Sequence, residues 1–209
     1  MPKCQYHKTK FEAKYFNQKF CLSDDECIKA FNESVKIAIE KQKAKQWQKE
    51  KKEIKEKLMT KSDYEKLLQK EINTIVRLID KDFICISTGK PLNDKFDAGH
   101  FYSVGSNPSL RFNLLNIYAQ SVYANQYLSG DQINFINGIE ENYGSGLKSI
   151  VLRLKKDYPI LKLTQEELKE KITIARSIVK HLKLENKTYN SVQRIELRRK
   201  FNKMIGIYE

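Results

Sequence analysis

Asp97-Ala98-Gly99-His100-Phe101, with Asn116 and Asn125 downstream of it, is the stretch whose reading decides the fold. Apolar and polar residues alternate from Phe96 to Tyr102, which predicts a strand. Arg111 to Tyr118 reads as a second extended piece and Ser121 to Ser129 as a short helix. The order strand, loop, strand, helix presents three side chains at intervals suited to metal-assisted phosphodiester chemistry.

That chemistry explains the residue types. Cutting a phosphodiester needs a base for water, a cation for the charge on the leaving oxygen, and a group that fixes the tautomer of the base. An imidazole accepts a proton near neutral pH, and if Nδ1 of His100 is engaged, Nε2 is left to face the water. Asn116, both donor and acceptor, is the candidate orienting residue, and Asn125 offers an oxygen of the kind that Mg2+ prefers. Each residue also has a plainer reading: His100 as a satisfied structural histidine, Asn116 as a turn residue, Asn125 as a helix cap. Their joint spacing favours catalysis.

The segment resembles the HNH endonucleases, specifically the NinG (Rap) recombination endonucleases of lambdoid phages. That core runs C-I-S-C-G, then A-G-H-Y, then L-R-F-N-x-x-N-I-H-x-Q-C-x-x-C-N-N-x-L-S-G. Here Cys85-Ile86-Ser87-Thr88-Gly89, Ala98-Gly99-His100-Phe101 and the run from Leu110-Arg111-Phe112-Asn113 through Asn116, Gln120 and Asn125 to Leu128-Ser129-Gly130 stand in those places. The strong match extends from about Glu71 to Gly146, and the amino-terminal part matches more loosely. The resemblance implies an α+β fold, mostly helical, with a small ββα-metal (HNH, treble-clef-like) nuclease core, Mg2+ or Mn2+ at the catalytic site, and branched or junction DNA as substrate.

Two departures alter that expectation. The family holds a structural zinc with two C-x-x-C knuckles, whereas only Cys85 remains here, with Thr88, Ser121 and Ala124 in the other places. One thiolate cannot hold zinc, so the knuckle is expected to be rebuilt by packing of Val122, Tyr123 and Ala124. Gly99 stands where the common HNH pattern has an acidic residue before the base histidine. Asp97 is then the nearest carboxylate, and because residues three apart on a strand face opposite sides, it joins the metal only across a bulge or bend, which Gly99 would permit.

The chain carries 39 Lys and Arg against 26 Asp and Glu, a formal charge of +13 over 209 residues. Such a balance favours a polyanion, and joined to a phosphodiester motif it favours DNA over a membrane. No apolar run long enough to span a bilayer occurs. The start, Met1-Pro2-Lys3-Cys4, has no apolar leader, so the expected setting is cytoplasmic, the bacterial host's if the protein is phage encoded. Four reduced cysteines are then expected. The sequence leaves oligomeric state open, a homodimer included.

Cys4, His7, Cys21 and Cys27 form C-x-x-H followed, after thirteen intervening residues, by C-x5-C. Three thiols and an imidazole suit tetrahedral Zn2+, and Tyr6, Phe11, Tyr15, Phe16 and Phe20 offer a small core for a zinc-knuckle-like module at residues 1–30. Chance clustering of thiols is the alternative.

Residues 31–80 read as a long charged helix and a packing helix, 81–146 as the nuclease core, and 147–209 as a basic helical region. The long helix opens at Asp24 or Asp25 with a stripe of Ile28, Phe31, Val35 and Ala38, then becomes solvated, with eight Lys and four Glu between Glu40 and Lys57. Ser62 to Glu65 suggests a capping box for the next helix, whose stripe is Tyr64, Leu68, Ile72, Ile75 and Ile79. Thr164 to Glu167 suggests another, opening a helix with Leu168, Ile172, Ala175, Val179 and Leu182. Arg77 is a candidate phosphate contact or a partner for Asp80. Arg111, and Arg194, Arg198, Arg199 and Lys200 on one face of a last helix, complete the candidate nucleic-acid contacts. No internal repeat is visible.

Two functions follow. The first is metal-dependent DNA cleavage with His100 as base, Asn116 as orienter, and Asn125, with Asp97, as metal ligands. The second is a non-catalytic DNA-binding accessory of recombination or replication that keeps a degenerate HNH fold.

Overall fold

The computed structural model describes residues 1–208 and divides after Met59 into two units. In the first, the Asp24 carboxylate accepts the Cys27 amide at 2.8 Å and opens α1, Asp25–Leu58. Phe20 is buried with Cys4 and Cys27, and Phe11 and Phe31 pack against them. Cys27 is the one fully buried residue of α1; Ile28 and Val35 of the predicted stripe are exposed, as is Trp47. Beyond Phe31 the helix is solvated, in keeping with its alternating charges.

The second unit begins with α2, Lys61–Ile79. Its capping box is Thr60 with Asp63, two residues earlier than the predicted Ser62–Glu65 pair, because Thr60 already satisfies the Asp63 amide and Asp63 returns a bond to the Thr60 amide. All five residues of the predicted α2 stripe are buried. They face a pair of short antiparallel strands, β1 Phe96–His100 and β2 Ile117–Ser121, and a later helix described below. The strands pair without interruption from Phe96 opposite Ser121 to His100 opposite Ile117. No bulge interrupts the pairing at Gly99, so the condition for Asp97 to reach the His100 face is not met. The second strand also starts later than predicted, since residues 108–116 turn twice, at Pro108–Leu110 and Leu114–Asn116, before extending. A five-residue π-helical turn, Tyr123–Tyr127, follows where a short helix is predicted.

Four helices complete the unit: α3 Gln132–Tyr143, α4 Ser145–Asp157, α5 Gln165–Glu185 and α6 Ser191–Ile205. The predicted Thr164–Glu167 capping box opens α5, whose buried stripe packs along α2. A core of Ile86, Phe101, Leu110, Tyr118, Phe135, Ile139, Leu147, Val151 and Leu154 joins α3 and α4 to the strands. Gly138 lets α3 touch the turn at Ile86; a Cβ there would stand 1.8 Å from the Ile86 carbonyl oxygen.

A backbone turn occurs twice. The Cys4 amide donates to Thr9 and the Lys8 amide to Cys4, and likewise Cys85 to Lys90 and Gly89 to Cys85, all at 2.8–2.9 Å. Lys8 and Gly89, at φ 62° and 63°, both adopt the left-handed conformation that closes such a turn. Each cysteine sulfur then accepts a later amide, Cys21 in the first case and Ser121 in the second. The repeat that the sequence conceals is therefore a knuckle, present with its thiols in the first unit and without most of them in the second.

Candidate functional site

In the first unit the four predicted ligands come together, their ligand atoms all within 4.8 Å of one another. Nδ1 of His7 lies 3.1 Å from the Cys21 sulfur and 3.7 Å from that of Cys4, and the Cys27 sulfur lies 3.7 Å from both of the other sulfurs. Nε2 of His7 meets Asp24 at 2.9 Å, so Nδ1 is the nitrogen directed into the group. Burial opposes ionisation of the Cys4 thiol, yet amide donors from His7, Cys21 and Tyr6 hold it at about 6. Hydrogen bonding from Ser23 lowers the Cys21 thiol, and burial raises that of Cys27. Three soft sulfurs and one imidazole, with amide donors and an orienting carboxylate, fit Zn2+, and the cluster can hold a metal such as zinc. Asp24, legible in the sequence only as a helix cap, serves as both cap and histidine partner.

In the second unit His100 closes β1, half-buried. Its Nε2 stands 3.0 Å from the Arg111 carbonyl oxygen, which can only accept, so the proton is on Nε2 and Nδ1 carries the lone pair. This is the reverse of the predicted tautomer. Burial holds the imidazole below its ordinary pKa, so it is neutral at pH 7. With Ser103, Ser106, Ser129, Gly130 and Gln132 it lines a cavity of about 200 Å3.

The Asn116 side chain makes no hydrogen bond to His100. Fully buried, it accepts the Tyr102 amide at 2.8 Å and donates to the carbonyls of Tyr102 and Leu110. It thereby pins the loop whose Arg111 carbonyl meets His100. Arg111 itself is clamped, 3.2 Å from both Glu65 and Gln69 on α2. Its Nε and Nη1 are engaged in that clamp.

Asp97 and Asn125 do come together. Oδ2 of Asp97 accepts Nδ2 of Asn125 and Nε2 of Gln126, both at 2.9 Å. Among the described residues neither Oδ1 of Asp97 nor Oδ1 of Asn125 has a hydrogen-bond partner. No hydrogen bond joins this pair to His100, and with no bulge Asp97 keeps the strand face opposite to it. The Tyr123–Tyr127 turn connects the two places, since it carries Asn125 and leads into Ser129 and Gly130 of the His100 cavity. Gly99 serves a purpose other than a bulge: a Cβ there would stand 2.1 Å from Oε1 of Gln120. Gln120 lies buried over Gly99 and donates 2.6 Å bonds to Ser87 and to the Gly130 carbonyl, tying knuckle, strand and cavity wall.

The predicted basic contacts divide. Arg194 and Arg198 are buried and cannot meet DNA. Arg198 donates to Asp80 at 2.6 Å and to the Leu114 carbonyl at 3.1 Å, and stacks 4.3 Å over Tyr118. Arg194 donates to the Ile79 carbonyl and lies 3.9 Å over Phe83. The reason is Asp80: this carboxylate also caps the Ala119 amide at 2.8 Å inside the core and requires cations. Arg77 is half-buried and bonds weakly to Thr74, not to Asp80. Arg199 and Lys200 are exposed, as is Lys203.

The expected packing of Val122, Tyr123 and Ala124 at the rebuilt knuckle holds for Ala124, which is buried, and fails for Tyr123, which is 62% exposed. Ser121 Oγ accepts the Ala124 amide, a hydrogen bond between two of the positions that the resemblance gives to knuckle cysteines.

Among the described residues no helix is long and apolar enough to cross a membrane. The chain is 37% identical over 78 residues to protein ninG of Escherichia phage lambda, a match covering 37% of this chain and 38% of that protein. It is 32% identical over 112 residues to protein ninG of Salmonella phage P22, covering 54% of each. The matched segments thus span about half the length of these relatives or less. No solved structure matches the chain. The family described as bacteriophage lambda NinG protein matches residues 1–185, nearly the whole chain, and it is to this family that the chain belongs.

Proposed function

We propose that the protein is a metal-dependent DNA endonuclease of HNH type that hydrolyses phosphodiester bonds in branched DNA in the host cytoplasm. The observation that carries the reading is His100: a neutral imidazole that lines a polar cavity, with its Nε2 proton committed to the Arg111 carbonyl and Nδ1 left unprotonated. Nδ1 takes a proton from water, the water oxygen attacks the backbone phosphorus, and the 3′ oxygen leaves. Arg111 and Asn116 act as positioning residues that fix the base. Asp97 and Asn125, in contact and with hard oxygens to offer, suit Mg2+ or Mn2+. When bound there, such a cation offsets charge on the phosphate and the leaving oxygen. Arg199, Lys200 and Lys203 supply exposed positive charge for the DNA backbone.

A second reading, a DNA-binding accessory without catalysis, is favoured by one observation. Asp97 spends an oxygen on two amide donors and faces away from His100, and Gly99, not an acidic residue, directly precedes the histidine. Incubating the protein with plasmid, junction and single-stranded DNA in Mg2+, Mn2+ or EDTA separates the two. Under the first reading a metal-dependent product appears and His100→Ala lowers its rate on the order of a hundredfold or more, with DNA affinity retained. No cutting of any DNA form leaves the second reading in place.

A further inference from the structure

The turn that carries Asn125 also carries two tyrosines with no evident structural duty. Tyr123 and Tyr127 are 62% and 75% exposed, and their rings stack on one another at 6.0 Å with an interplanar angle of 22°. Neither hydroxyl has a hydrogen-bond partner among the described residues. Aromatic area of this size in water is unfavourable unless something covers it. The two rings, one turn apart, lie near parallel and exposed, while Ala124 between them in the sequence is buried.

We propose that Tyr123 and Tyr127 form a stacking platform for an unpaired base of single-stranded DNA, set beside the Asp97–Asn125 pair. The proposal rests on reading that pair as a phosphodiester site, and it adds which part of the DNA is gripped there. Every base has a π-face, so a parallel pair of rings accepts an unpaired base by extending its stack, whereas the bases of an intact duplex present only their edges. The turn itself, Ser121 to Gly130, has no acidic residue, the neighbouring Asp97 carboxylate has one oxygen bound by the Asn125 and Gln126 amides, and the chain as a whole carries +13. Phenol tips between polar neighbours fit a wet nucleic-acid surface better than an apolar protein face. A branch point exposes unpaired bases next to scissile phosphates, so the platform offers a physical basis for preferring such DNA over uniform duplex.

The test is fluorescence anisotropy in EDTA, where nothing is cut, with a labelled oligothymidylate and a blunt duplex of equal length as probes. Tyr123→Ser combined with Tyr127→Ser is expected to weaken oligothymidylate binding about tenfold to a hundredfold and to leave duplex binding unchanged. Tyr→Trp at both positions should retain the affinity and Tyr→Leu should not, because Leu keeps the apolar area without the π-face. Both side chains are exposed, so the variants keep the fold, as their thermal midpoints will show. Unchanged oligothymidylate binding, equal losses on both probes, or a changed oligomeric state in place of a changed affinity overturns the proposal. Cleavage is scored separately on the unsubstituted protein. If it cuts no DNA while oligothymidylate binding still depends on the tyrosines, the platform stands and the nuclease reading falls; if it cuts DNA while the tyrosines are dispensable, the reverse holds.

Discussion

Replacing Arg198 by Ala would strand the Asp80 carboxylate, buried to 1% exposure, with Arg194 at 3.8 Å as its remaining cation. A buried charge deprived of its partner costs about 3–5 kcal/mol, so the midpoint of urea unfolding is expected to drop sharply; a midpoint within error of the unsubstituted protein would show that Arg194 suffices. This arginine reads in sequence as a DNA contact because it sits among Arg199, Lys200 and Lys203 on a basic helix. Nothing local to α6 reveals that Asp80, more than a hundred residues earlier, claims it. His100 makes a different prediction. Its folded pKa lies below the ordinary 6.5, so the neutral, proton-accepting form dominates above that value and is lost only on further acidification. The acid limb of the cleavage rate should therefore fall with a midpoint below 6.5. A midpoint above it would mean that another group is titrating. The same depression adds stability that is complete above 6.5 and is lost as pH falls from there towards the folded pKa.

Elements were legible where one period rules them. The stripes of α2 and α5 follow directly from apolar residues at helical spacing, and the first strand from its alternation. Legibility ends where a tertiary contact overrides local pattern. Arg111 to Asn116 looks extended, yet buried Asn116 folds it into turns by binding Tyr102 and Leu110; the Asn113 side chain accepts the Leu115 amide as well. Gly99 reads as a bulge residue, and what it does instead is leave room for Gln120, a need visible only when the strands are in register. The tautomer of His100 depends on a carbonyl eleven residues away, beyond any short-range signal. Gly138 shows the same limit at the level of packing. It looks like a mild fault in a helix, but its missing side chain admits the Ile86 carbonyl. Gly138→Ala should thus destabilise by about 1–3 kcal/mol through overpacking, where helix propensity alone favours Ala by nearly 1 kcal/mol. Calorimetry gives the sign: a higher melting temperature would mean that α3 moves off the knuckle at little cost.

At the scale of the molecule, the two units differ in what holds them. The second buries helical stripes, two strands and the Asp80 network, an apolar core large enough to stand on ordinary packing. The first has Phe20 and a few partly buried neighbours around Cys4 and Cys27, and α1 beyond Phe31 buries nothing. So small a core needs another source of stability, and the Cys4, His7, Cys21 and Cys27 group supplies the place for one. Chelation of zinc should therefore abolish amide hydrogen-exchange protection at Cys4, Lys8 and Cys21 while leaving α2 and α5 protected. Cys4→Ser with Cys21→Ser should give the same pattern and lower bound zinc from about one per chain to well below that, by elemental analysis. Protection lost throughout both units on chelation would show that the second depends on the first for its stability, and undiminished zinc in the double variant would place the metal elsewhere.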